Sequence, residues 1–74
     1  LNIISSTVID TRCVEVHAAG PRGGTHEFTV HYDRRDKVLY GFRHRPGNEY
    51  LLPPLIPEEV RTAAWTAYTN TLQA

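Results

Sequence analysis

The chain has 74 residues, 8 of them basic and 8 acidic, so it carries no net charge when its histidines are neutral. A chain this short buries only about 60 to 65% of its unfolded surface; that leaves room for one domain and one core but not for a deep two-walled active site. The balanced charge removes the long-range field that a dedicated nucleic-acid binder usually carries.

Residues 1–9 are rich in apolar side chains (Leu1, Ile3, Ile4, Val8 and Ile9) but are interrupted by Ser5 and Ser6 and have no basic leader, which argues against a signal peptide. No apolar run approaches the roughly 20 residues that span a bilayer, so no membrane partner is expected. Cys13 is the only cysteine, so no internal disulfide and no CxxC zinc pair can form. A lone thiol fits a reducing compartment, and the expected location is cytoplasmic.

Val14 and Val16 alternate with Cys13, Glu15 and His17, which predicts a first strand from about Thr7 to Ala18, bent or bulged near Asp10 to Arg12 where alternation fails. Gly20-Pro21-Arg22-Gly23-Gly24 then breaks the chain. The clearest period-two signal is residues 25–33, where Phe28, Val30 and Tyr32 alternate with Glu27, Thr29, His31 and Asp33. Pairing these two strands with Val14 opposite Val30 and His17 opposite Glu27 avoids setting Glu15 against Glu27.

Residues 38–45 repeat the alternation after a polar Asp33–Lys37 turn. Parity and charge together favour Phe28 opposite Phe42, Val30 opposite Tyr40, Tyr32 opposite Val38 and Glu27 opposite Arg43. Arg45-Pro46-Gly47-Asn48 matches a type II turn, and a short strand over Glu49–Leu52 is ended by Pro53 and Pro54, which cannot donate to a ladder. The apolar stretch 51–57 reads as a crossover into a helix opened by Pro57-Glu58-Glu59. At about 100° per residue, Val60, Ala63, Ala64, Ala67, Tyr68, Thr71 and Leu72 share one face, with Trp65 on its border. The fold expected over residues 1–74 is therefore a single α+β domain, an antiparallel meander of three or four strands with one C-terminal helix packed on one face.

Among candidate sites, His17, His26, His31 and His44 invite a metal reading, but His26 and His44 together lack the third ligand that even a catalytic zinc needs, and no metal or cofactor is expected. Cys13 opposite His31 has no oxyanion donors or shielded pocket around it, so an enzyme is not expected either. The glycine-rich 20–24 segment joins two strands, unlike a phosphate loop, which runs from a strand into a helix. Arg34, Arg35, Lys37, Arg43 and Arg45, interleaved with Tyr40 and Phe42, have the composition of a single-strand nucleic-acid binder. Tyr40-Gly41-Phe42-Arg43 resembles a fragment of the RNA-recognition-motif signature, but that fold needs two helices and only one is expected here. Tyr50, Leu52, Leu55, Ile56 and Trp65 supply more apolar bulk than one thin core layer hides, and such patches mark protein-binding surfaces.

The preferred expectation is a small non-enzymatic interaction module, a regulator that docks on a larger protein or complex such as transcription machinery. Homodimerisation through a sheet edge or the crossover is a further expectation. Small regulators of this size class are often phage-encoded, which is a prior about size and not a reading of residues. The alternative is a weak nucleic-acid binder using the hairpin 34–45.

Overall fold

A computed structural model describes residues 1–33, 39–45, 47 and 49–73. These form, in chain order, β1 (Asn2–Val8), β2 (Cys13–Ala19), β3 (Thr25–Tyr32), β4 (Leu39–Arg45), β5 (Glu49–Leu51), a 3-10 turn over Pro53–Leu55 and α1 (Glu58–Gln73). The strands lie in sequence order in one antiparallel sheet, and α1 packs on β1 and β2 with lesser contact on β3. The α+β class, the meander and the C-terminal helix are as the sequence predicts, with five strands in place of three or four. No helix among the described residues is long and apolar enough to cross a membrane.

The additional strand comes from the N-terminus, where the expected bend near Asp10 is a complete reversal. The Asp10 carboxylate accepts the Arg12 N–H at 2.7 Å, and the Ile9 N–H donates to the Cys13 carbonyl at 2.9 Å, which closes a tight hairpin. An Asp side chain bonded to the backbone two residues on mimics a turn, so Thr7–Ala18 is divided into β1 and β2. Gly20–Gly24 is the second hairpin tip. There the Gly23 N–H donates to the Gly20 carbonyl, and Gly23 has φ +84°, a conformation most side chains disfavour.

The β2–β3 register is the predicted one, with Val14 opposite Val30 and His17 opposite Glu27. The β3–β4 register differs by two residues, so that Phe28 faces His44, Val30 faces Phe42 and Glu27 faces Arg45. Charge could not discriminate between these pairings, because Arg43 and Arg45 share a face and either can lie opposite Glu27. A shift of two preserves which side chains enter the core, and Phe28 still meets Phe42 diagonally, with ring centroids 5.9 Å apart. Beyond His31 the ladder is bulged and closes with Tyr32 opposite Leu39, which turns Leu39 toward the core. Leu39 therefore takes the place opposite Tyr32 that the sequence assigned to Val38, while residues 34–38 of the expected turn, and Pro46 and Asn48 of the expected type II turn, lie outside the described residues.

The core lies between α1 and the sheet. Val14, Val16, Ala18, Phe28, Val30, Tyr32 and Phe42 from the strands meet Ile56, Val60, Ala64 and Tyr68. Removing a valine-sized side chain from water is worth about 1.5 kcal/mol or more. The spacing of Val60, Ala64 and Tyr68 is the i, i+4 row of a helix face. Two alanines at half-buried positions, Ala63 and Ala67, let α1 sit close on the sheet.

Candidate interaction surface

The crossover begins where β5 must stop. Pro53 and Pro54 bring no N–H to a ladder, and the chain folds into one 3-10 turn, with the Leu55 N–H on the Leu52 carbonyl and the Ile56 N–H on the Pro53 carbonyl, both at 3.0 Å. This places neighbouring side chains on opposite sides. Ile56 is 3% exposed and belongs to the core, while Leu55 is 60% and Leu52 65% exposed. The Pro57 carbonyl then accepts from the Val60 and Arg61 N–H groups and starts α1.

Two shallow apolar hollows flank this crossover. One, of about 240 Å³, brings Leu55 and Pro57 together with Phe28, Phe42, His26 and His44. Here His26 Nδ1 and His44 Nε2 lie 2.9 Å apart, and the His44 ring stacks on Phe28 at 4.7 Å. The two histidines are not cross-strand partners, since the register sets His44 opposite Phe28, but their rings meet diagonally. The other hollow, of about 450 Å³, is lined by Tyr32, Leu39, Pro53, Pro54, Arg61 and Trp65. Trp65 is 44% exposed and leans on the stacked pair Tyr32 and Tyr68, its ring 5.7 Å from Tyr32.

The five apolar residues singled out in the sequence are thus divided. Leu52, Leu55 and Trp65 are exposed and Ile56 is buried. Tyr50 lies opposite Arg43 on the other face of the sheet, where its ring crosses Gly41 and comes within 5.6 Å of His31. A Cβ at Gly41 would collide with the Tyr50 hydroxyl, so the glycine makes room for that ring.

The open face carries the polar groups. Cys13 Sγ and His31 Nδ1 are 3.2 Å apart, as the β2–β3 register requires. Burial, followed by the nearby Asp10 carboxylate, pushes the Cys13 thiol up, whereas burial and then the Arg43 guanidinium push His31 down. Both changes favour the neutral forms, the reverse of what an activated thiolate needs. Beside them His17 bridges two carboxylates, with Nε2 2.5 Å from Glu15 and Nδ1 3.8 Å from Glu27, while Arg45 approaches Glu27 at 4.0 Å. Sequence reasoning found the His17–Glu27 pairing and missed Glu15, although its position two residues before His17 puts it on the same strand face. Three potential ligand atoms from Glu15, His17 and Glu27 lie within 4.8 Å of one another, but both His17 ring nitrogens already face a carboxylate and the cluster is half-exposed.

Of the basic residues, Arg34, Arg35 and Lys37 lie outside the described residues, and Arg43 and Arg45 stand on the open face among Glu15 and Glu27. Phe42 is 1% exposed and points into the core, so it offers no surface for a base to stack on.

No family model matches the chain, and no curated protein or solved structure matches it either.

Proposed function

We propose that this domain is a non-enzymatic interaction module that docks on a larger protein through the helix-side surface around its crossover, with Leu52, Leu55 and Trp65 as the contact side chains. One observation carries the reading. Two leucines are turned outward from a 3-10 turn in which Pro53 and Pro54 fix φ and which is followed by the buried Ile56. Apolar side chains presented on a fixed backbone lose little conformational freedom on binding, and the adjoining hollows give a partner's side chains places to enter. An aromatic at the rim, half-covered by Tyr32 and Tyr68, is the residue type that anchors interfaces most often.

The test is retention of partners from a lysate of the source cells on the immobilised domain, with and without nuclease. A protein partner that survives nuclease treatment, is lost with the double variant Leu52→Ser/Leu55→Ser and is kept with Thr29→Ser on the opposite face is the expected result. Retention that disappears on nuclease digestion would replace this reading with the nucleic-acid one.

A further inference from the structure

The two edges of the sheet are not alike. β5 has three residues and runs into Pro53 and Pro54, which blunts it. β1 has seven residues, Asn2–Val8, with no proline, lysine or any other charge, and within it Ile4 is 61% exposed. Its outward N–H and C=O groups form an open template for another strand. Above that edge, between β1 and α1, runs a groove lined by Ser6, Val8, Ala63, Thr66, Ala67 and Asn70. All of these side chains are small or uncharged.

We infer that this edge is the interface between two copies of the chain, β1 pairing antiparallel with β1 of the second copy about a two-fold axis to give one continuous sheet with both helices on the same face.

Three features select a second copy over a foreign peptide. An isologous interface sets each patch against itself, so any charge on β1 or the groove would be opposed by its own kind, and there is none. An added peptide strand would bring nothing to cover its own helix-side residues, because the helix of this chain packs on β1 and β2, whereas a second copy arrives with its own helix.

The third feature is spacing. Strands lie about 4.8 Å apart, so the two-fold axis falls half a spacing outside β1, and a helix over the β1–β2 boundary lies half a spacing inside it. The two helix axes are then separated by about 10 Å, the upper end of ordinary helix packing. Ala63, Thr66, Ala67 and Asn70 are small enough to fill that gap.

The β1 ladder is irregular between Ile3 and Ser5, so regular pairing is confined to Ser5–Val8. Keeping helix-side residues opposite one another places the axis at Ser6 or Thr7.

Sedimentation equilibrium of the 74-residue chain over a wide concentration range is the test. The expected mass rises from 8.4 kDa toward twice that value. Ser5→Lys/Thr7→Lys, at exposed positions of the edge, and Thr66→Arg, on the exposed groove side of α1, should each weaken the association by at least about tenfold while leaving the monomer's circular dichroism unchanged. The crossover variant Leu52→Ser/Leu55→Ser should dimerise like the parent. A chain that stays monomeric throughout overturns the inference. So does a dimer that resists both Thr66→Arg and the lysine pair, or one that is lost only with the crossover variant. Should the lysine pair fail to fold, Thr66→Arg alone decides.

Discussion

The helix side of the sheet is covered by two unlike devices, and the two halves are closed to different degrees. Over β1 and β2, α1 delivers a buried side chain every turn, and Val14, Val16, Val60 and Ala64 are all at 0% exposure. Over β4 the cover is a 3-10 turn followed by an extended residue, and it delivers Ile56 alone while Leu52 and Leu55 point outward. A helix can repeat its inward face because its period brings residues back to the same side; the six-residue crossover 52–57, with prolines at 53, 54 and 57, cannot. The incompletely closed half therefore leaves Leu52 and Leu55 exposed, and these are the side chains that the proposed docking would use.

The sharpest way to break this contrast is to remove a ring from the closed half. Tyr68→Ala deletes the ring stacked on Tyr32 at 4.5 Å, and the expected loss is about 3 to 5 kcal/mol in urea unfolding, enough to unfold a marginal domain. Ile56→Ala, in the other half, should cost about 2 to 4 kcal/mol, and hydrogen exchange should accelerate in residues 52–57 before it does in α1. Uniform acceleration would mean that the two covers form one cooperative unit.

A pH titration sharpens the same contrast. Burial, with a lesser contribution from Tyr68, raises the Tyr32 hydroxyl from 10.0 to about 12. Below pH 10 both states keep the proton; between pH 10 and about 12 the unfolded chain ionises and the folded one does not, so stability falls across that interval. The expected loss is at most about 3 kcal/mol, and Tyr32→Phe should flatten it. A profile unchanged by Tyr32→Phe would show that this hydroxyl is not the source. Smaller still is Trp65→Ala. At 44% exposure its removal should cost about 1 to 2 kcal/mol of stability and, in addition, about 2 kcal/mol of partner binding. A variant that binds at full strength would remove Trp65 from the docking surface.

Much of the closed half was legible in the sequence. Phe28, Val30 and Tyr32 alternate without interruption, Val14 and Val16 follow the same period, and Val60, Ala64 and Tyr68 fall on one helical row. What escaped was set by contacts that periodicity does not carry. The irregularity at Ile4 destroys the alternation of Ile3-Ile4-Ser5-Ser6, so β1 could not be told from an extension of β2. Two arginines on one face left the β3–β4 register ambiguous by two residues. In the crossover no period exists, so nothing in Leu52, Leu55 and Ile56 indicated which of them turns inward. Tyr50 was grouped with them by proximity along the chain, although strand alternation sends it to the open face.

The most direct test of the docking surface is the double variant Leu52→Ser/Leu55→Ser, with stability and partner retention measured on the same preparation. Both side chains are more than half exposed, so the account predicts a change in unfolding free energy within about 1 kcal/mol, together with a loss of at least about 30-fold in affinity for the nuclease-resistant partner. A variant that unfolds would show that the leucines belong to the core. One that stays folded and binds as tightly as the parent would contradict the account.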